Sequence, residues 1–272
     1  MTQPLATTEF KNITLERAQA RATIWLDRPD KLNALSRMMV KELGRAVDTL
    51  ETEADIGVVV VRGRGRAFSA GGDLEEFVHL FRDPKAIRGF CDDFFDALTS
   101  IEASRKIYVA AIDGVCLAGG LEIMLACDLA LAATSARIGD GHLGFGQLPG
   151  AGGSQRLPRA VGLRRAKRLL LTGELLPATE AERIGLVNAV HPDTEFEAAV
   201  VACCDALCAK TANGLAAAKR MLNSAGLGDL QEGLRREIDI YVEYATSDFD
   251  ATEGLIAFKE KRTPRYRGAG PR

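Results

Sequence analysis

The chain has 272 residues, enough for one large domain or a domain with an appendage. Hydrophobic residues make up 47% and charged residues 26%, the balance of a globular chain and not of a disordered or fibrous one. Lys plus Arg total 35 against 37 for Asp plus Glu, a net charge of −2 that argues against a dedicated nucleic-acid partner. The longest apolar runs, such as Val58 to Val61, fall far short of the ~18–20 residues of a membrane span, so no membrane partner is expected. The opening MTQPLATTEF lacks a basic segment followed by an apolar one, so no secretory signal is expected. The six cysteines, at 91, 116, 127, 203, 204 and 208, form no C-x-x-C pair and have no nearby His at metal-site spacing. They read as reduced, packed residues of a cytoplasmic protein, with no metal site.

In chain order, Ala22–Leu26, 57–61 and Ile107–Ile112 are short, β-branched or apolar, and end in turn residues. They are predicted strands, and their near-continuous apolarity predicts burial on both faces. Between the first two, Met39, Val40, Leu43, Val47 and Leu50 recur at helical spacing behind Ser36, a candidate N-cap. Between the second and third, Phe90, Phe94, Phe95, Leu98 and Ile101 repeat that pattern. Strand–helix–strand alternation predicts an α/β architecture. Further on, Thr179-Glu180-Ala181-Glu182 reads as a capping box opening a short helix that stops at Gly185. Helices are predicted over about 194–210, 212–225, 229–246 and 250–262, a strand-poor C-terminal third.

Glycines cluster in loops. Two clusters share a form: Ser69-Ala70-Gly71-Gly72-Asp73-Leu74 after the Val58–Val61 strand, and Leu117-Ala118-Gly119-Gly120-Leu121-Glu122 after the Ile107–Ile112 strand. Unpaired amides at two neighbouring strand–glycine–helix turns are suited to holding one oxyanion, such as a polarised carbonyl. Tight connections are the plain alternative. Neither a P-loop nor a dinucleotide fingerprint is present, and Ala67-Phe68-Ser69-Ala70-Gly71 lacks the first glycine of a nucleophile elbow. Glu122 lies among apolar neighbours, where a carboxylate is costly unless paired or used. Burial raises its pKa toward general acid–base work, while a helix start lowers it. An ion pair with a distant Arg is the structural alternative.

At these residues the chain resembles the crotonase superfamily, the enoyl-CoA hydratase/isomerase family. The matching segments are 28–35 (RPDKLNAL), 67–74 (AFSAGGDL), 118–122 (AGGLE), 148–158 (LPGAGGSQRLP) and 181–187 (AERIGLV). The resemblance implies a β-β-α spiral core with a helical C-terminal region. We divide the chain at 1–200 for the acyl-CoA-binding core and 201–272 for a trimerisation region. It further implies an acyl-CoA substrate, no cofactor beyond the CoA of that substrate, and a homotrimer or a homohexamer made of two trimers. Family oxyanion donors map onto the backbone amides of Ala70 and Gly119. CoA contacts map onto Lys31 to Ala34, onto the Ala67, Ala70, Gly71, Gly72 and Asp73 segment, and onto Phe258 and Lys261 of a neighbouring copy. Arg62, Arg64 and Arg66 are read either as partners of CoA phosphates or as a solvated basic loop.

Family hydratases use two glutamates about twenty residues apart. One maps to Glu122. The other, with Pro149 in register, maps to His142 in Gly139-Asp140-Gly141-His142-Leu143. His142 has three readings: it replaces the second carboxylate as acid or base, it shapes an unusual acyl site, or it fills space while Glu122 acts alone. Asp140 either orients the imidazole or belongs to an ordinary Asp-Gly turn. His79 and His191 are expected to be exposed. Hydration of a trans-2-enoyl-CoA is the expected reaction. Decarboxylation, double-bond isomerisation or thioester hydrolysis is the alternative that the substitution at His142 leaves open.

Overall fold

The computed structural model describes residues 10–266. The predicted strands and helices form where the apolar spacing placed them, and the chain adds strands that the spacing did not pick out, among them β1 and β7 and several of three residues. In order the chain forms β1 (Ile13–Ala18), β2 (Arg21–Leu26), α1 (Arg37–Glu51), β3 (Val58–Gly63), β4 (Ala67–Ser69), α2 (Leu74–Leu80), α3 (Pro84–Ala103), β5 (Ile107–Ile112), β6 (Val115–Leu117), α4 (Gly119–Ala126), β7 (Leu129–Ala133) and β8 (Arg137–Gly139). It continues with α5 (Gly153–Val161), α6 (Leu163–Thr172), β9 (Leu175–Pro177), α7 (Ala178–Arg183), β10 (Ala189–His191), α8 (Phe196–Cys208), α9 (Ala212–Ser224), α10 (Leu230–Ser247) and α11 (Asp250–Lys259).

The larger sheet runs β1-β2-β3-β5-β7-β10 and the smaller β4-β6-β8-β9. The chain alternates between them: β3, β5 and β7 lie in the larger sheet, and each is followed by β4, β6 or β8 in the smaller one. A helix follows each such pair, which is the spiral of β-β-α units that the resemblance implied. Pairing is parallel except at β1–β2 and β8–β9, as crossover connections require.

Val58 to Val61 shows why the strands read as continuously apolar. Val59 and Val61 pack into the core with α1 and α3, while Val58 and Val60 face the opposite side with Phe196, Val200 and Cys204 of α8. Both faces of the strand are dry, so neither tolerates a polar alternation. Ser36 caps α1 as expected, its hydroxyl accepting from the Met39 amide at 3.1 Å.

Several expectations are corrected. The Thr179 capping box does not form: Thr179 is already inside α7, whose N-cap is Pro177 with no side-chain cap. Helix α8, which spans residue 200, covers one face of the larger sheet. His191 is half-buried in β10, while His79 is exposed as expected. The basic loop is tied down by protein. Arg62 bonds Asp113 at 2.6 Å, pairs with Glu197, and lies over the rings of Trp25 and Phe196; Arg64 pairs with Glu16 and stacks on Trp25.

The cysteines are all free. Among the described residues no single helix is long and apolar enough to cross a membrane.

Candidate active site

The two glycine turns meet, although each follows a strand of the smaller sheet and not the larger-sheet strand expected. The first leaves β4 and the second leaves β6, and those strands pair in parallel, Ser69 beside Cys116. The turns touch directly. A Cβ at Gly71, where φ is +90°, would lie 2.7 Å from Ala118 Cβ and 3.5 Å from the Gly119 amide nitrogen. Ala118 itself has φ of 51°, a costly conformation for a residue with a side chain, held immediately before the first amides of α4.

Ala70 is not a free donor, which corrects the expectation for that residue. Its amide already donates to the Leu32 carbonyl at 3.0 Å, and the Asp73 amide donates to the Leu35 carbonyl at 3.1 Å. The Gly71 amide donates to Ser69 Oγ at 3.2 Å. Gly72 is the one amide of residues 70–73 with no partner among the described residues. In the second turn the Gly119 amide, in the first turn of α4, likewise has none. The Leu32 carbonyl is held in place by Asn33. This buried side chain accepts from the Arg28 amide at 2.8 Å and donates to the carbonyls of Arg64 at 2.9 Å and Ala67 at 2.7 Å.

Both turns open onto a cavity of about 790 Å³. Of the residues singled out in the sequence, Lys31, Ala34, Ala70, Gly72, Asp73, Gly119, Glu122 and His142 line it. Ala67 and Gly71 lie behind its wall: Ala67 is buried in β4, and Gly71 packs against Ala118. Phe258 and Lys261 are not part of this cavity; Phe258 is 87% exposed, and Lys261 follows α11 on the outside. Lys31 pairs with Glu75 at 2.9 Å at the solvent-facing edge, and Asp73 is bound by Arg28 at 2.8 Å. Burial works to raise the Asp73 carboxyl, but the Arg28 bond and the Glu76 amide outweigh it and hold the group below its ordinary range.

Glu122 is buried at 2% exposure, and among the described residues no Arg is paired with it. Its Oε1 accepts two amides, from Ala151 and Gly153, both at 2.8 Å. Gly153 opens α5, so the carboxylate sits at a helix N-terminus. Burial nonetheless dominates and raises the Glu122 carboxyl, against the lowering effects of the Gly153 bond, the His142 ring and the Ala151 bond. The Ala151 carbonyl is in turn held by Arg156 at 2.6 Å, and Arg156 is clamped by Glu102 at 2.6 and 2.7 Å. In the sequence this loop stood out through its glycines and as one of the segments that carry the family resemblance. Its grip on Glu122 had no signal there.

His142 Nε2 lies 4.0 Å from Glu122 Oε2, close enough for electrostatic coupling but too far for a hydrogen bond. On its other side, Nδ1 is 3.1 Å from Asp140 Oδ1, which also accepts the His142 amide at 3.2 Å. Asp140 is fully buried. Its Oδ2 has no hydrogen-bond partner among the described residues. A buried carboxylate selects the imidazole form that carries its proton on Nδ1, so Nε2 presents a lone pair toward Glu122 and the cavity. Asp140-Gly141 is therefore both a turn, with Gly141 φ at 65°, and the support of the ring.

The arrangement has two converging amide turns, a carboxyl with one oxygen free of hydrogen bonds, and an oriented imidazole at one cavity wall. It is suited to polarising a carbonyl and moving a proton at the adjacent carbons. The family model described as enoyl-CoA hydratase/isomerase matches residues 16–269. The chain is 37% identical over 258 residues to the probable enoyl-CoA hydratase echA8 of Mycobacterium bovis, covering 94% of this chain and 98% of that one. It is 34% identical over 265 residues to the 2,3-dehydroadipyl-CoA hydratase of Escherichia coli, covering 95% and 100%. Among solved structures, the enoyl-CoA hydratase of Bacillus anthracis superposes with a TM-score of 0.89 at 34% identity, over 94% of this chain and 99% of that one. The chain belongs to the enoyl-CoA hydratase/isomerase family and has the crotonase fold.

Proposed function

We propose that this enzyme adds water across the 2,3 double bond of a trans-2-enoyl-CoA to form a 3-hydroxyacyl-CoA. The observation that carries this reading is the pair Glu122–His142, 4.0 Å apart at the wall of the cavity onto which the Gly119 turn opens. The thioester oxygen sits between the amides of Gly72 and Gly119, which strengthen their bonds as it becomes an enolate; each such donor contributes ~2.7–4 kcal/mol. The water oxygen bonds to C3 as His142 Nε2 takes the water proton. Glu122 Oε2, whose carboxyl is raised by burial, delivers a proton to C2. The pair ends with His142 protonated and Glu122 ionised, and one proton transfer between them resets it. Asp140 stabilises the imidazolium that forms and holds the ring in place.

The active enzyme is a homotrimer or a pair of trimers. In α10, Leu230, Leu234, Ile238, Tyr241 and Val242 are 44–75% exposed, and in α11 the buried residues are Asp250, Glu253 and Ala257 while Leu255 and Phe258 face outward. An apolar face turned out in this way calls for a second protein surface. Phe258 and Lys261 then reach a neighbour's CoA.

A panel of acyl-CoA thioesters tests the reaction. Hydration predicts loss of the conjugated enoyl absorbance with no free thiol. Release of thiol or of carbon dioxide from another thioester, with enoyl-CoA untouched, replaces this reading with hydrolysis or decarboxylation, which the imidazole at position 142 also suits. His142→Glu restores paired carboxylates, and hydration of crotonyl-CoA is expected to persist with a changed pH optimum.

A further inference from the structure

Phe77 of α2, Phe81 after it, and Phe90 and Phe94 of α3 form a continuous row of rings on one wall of the cavity, edge-to-face at Phe77–Phe81 and Phe77–Phe90 and tilted at Phe90–Phe94. Ring centroids are 5.4 Å apart for Phe77–Phe81, 4.9 Å for Phe77–Phe90 and 6.0 Å for Phe90–Phe94. The row begins beside both open amides. A Cβ built on Gly72 would fall 2.4 Å from the Phe77 ring, and one on Gly119 would fall 3.4 Å from the Phe94 ring. An acyl group whose carbonyl is held by Gly72 and Gly119 therefore starts against these rings. Ile87 and Cys91 of α3 fill the wall between them. The cations lining the cavity are Lys31, already paired with Glu75 at the solvent edge, and, when protonated, His142; the lining carboxylates are Asp73, Glu75 and Glu122.

We infer that this wall sets the acyl selectivity: the enzyme takes apolar acyl groups, of medium chain length or with an aryl end, and discriminates against acyl groups ending in a carboxylate. This rests on the acyl-CoA reading above. The physical ground is that methylenes gain by leaving water for the ring faces, whereas an ionised carboxylate would lose its hydration beside rings and other carboxylates, with no unpaired cation among the described lining residues to meet it.

Binding of unreactive saturated thioesters separates this inference from the reaction chemistry. Acetyl-, butanoyl-, hexanoyl-, 3-phenylpropanoyl- and adipoyl-CoA are titrated into the full-length enzyme by calorimetry. Affinity is expected to rise up to about fourfold per methylene from acetyl to hexanoyl. Adipoyl-CoA, with a carboxylate in place of the hexanoyl terminal methyl, is expected to bind at least about tenfold more weakly than hexanoyl-CoA. Adipoyl-CoA binding as tightly as hexanoyl-CoA overturns the inference, whether or not enoyl-CoA is hydrated. Failure of hydration with this order of affinities intact overturns the reaction and leaves the selectivity standing. Two variants locate the effect. Phe77→Ala should weaken hexanoyl-CoA while leaving acetyl-CoA nearly unchanged. Ile87→Arg, at a half-buried cavity position, should narrow or reverse the preference over adipoyl-CoA. An unchanged ratio in both, with folding intact, would place the acyl group elsewhere and overturn the inference.

Discussion

Helices α4 and α10 are opposite answers to the same problem of burying apolar surface. In α4, seven of eight residues are buried, and one of them is the carboxylate Glu122. In α10, eighteen residues include none that is buried, although Leu230, Leu234 and Ile238 recur on one side. The interior of this chain is closed, and the closure holds a buried carboxyl at the cavity wall. Its C-terminal surface is left open by the same chain. The candidate catalytic groups lie within one copy, whereas the apolar face of α10 is left uncovered in it.

The largest expected effect tests the closed half. Glu122→Gln keeps the acceptor for the Ala151 and Gly153 amides but removes the proton. Turnover should fall ~10²–10⁴-fold with substrate affinity little changed, measured by steady-state kinetics. The same variant should be the more stable protein at neutral pH. Because burial raises the Glu122 carboxyl, the folded enzyme keeps a proton there that the unfolded chain releases. That contribution is fully present below the unfolded value of ~4.3 and is lost as pH rises through the folded value. The melting temperature of Glu122→Gln should therefore gain on that of the parent between pH 4 and pH 8; a constant or shrinking gap contradicts the raised carboxyl.

A second prediction concerns the seam between the two halves. Lys219 of α9 is buried, and its Nζ donates to the carbonyls of Ile101 at 2.8 Å and Lys106 at 3.0 Å and to Asp128 at 2.8 Å. Lys219→Met strands Asp128, whose carboxyl burial already raises, so unfolding in urea should show a loss of ~3–5 kcal/mol. A loss below about 1 kcal/mol would mean that the C-terminal helices are only loosely coupled to the core.

Asp140→Asn is smaller in effect and sharper in meaning. If Asp140 only closes a turn, Asn serves as well and kcat/KM is unmoved. If it supports His142, kcat/KM should drop ~10-fold or more, since the ring loses the carboxylate that orients it. The smallest energetic change is on the open half. Ile238→Glu on α10 should shift the sedimenting species toward monomer while leaving the far-ultraviolet spectrum alone. An unchanged mass would place the interface off α10.

The sequence by itself determined the elements whose signal is local. Helical spacing in Met39, Leu43, Val47 and Leu50 and continuous apolarity in Val58 to Val61 follow from burial of one stripe or two faces. Both features therefore sit in the order of residues. The glycine turns and Glu122 were legible for a related reason: glycine pairs and a carboxylate among apolar residues are locally anomalous. What only the tertiary structure decided depends on partners distant in sequence. Nothing near Ala70 shows that its amide belongs to Leu32, or that the free donor of the turn is Gly72. Nothing near Glu122 shows that residues 29 and 31 positions later supply its two amides. The short strands β4, β6 and β8 carry too few residues for periodicity to register, yet their pairing brings the two turns together. The phenylalanines of α3 read as core by spacing, and part of what they cover is the cavity. Spacing reports that a face is shielded from water; whether protein or ligand does the shielding is decided by what the rest of the chain leaves empty.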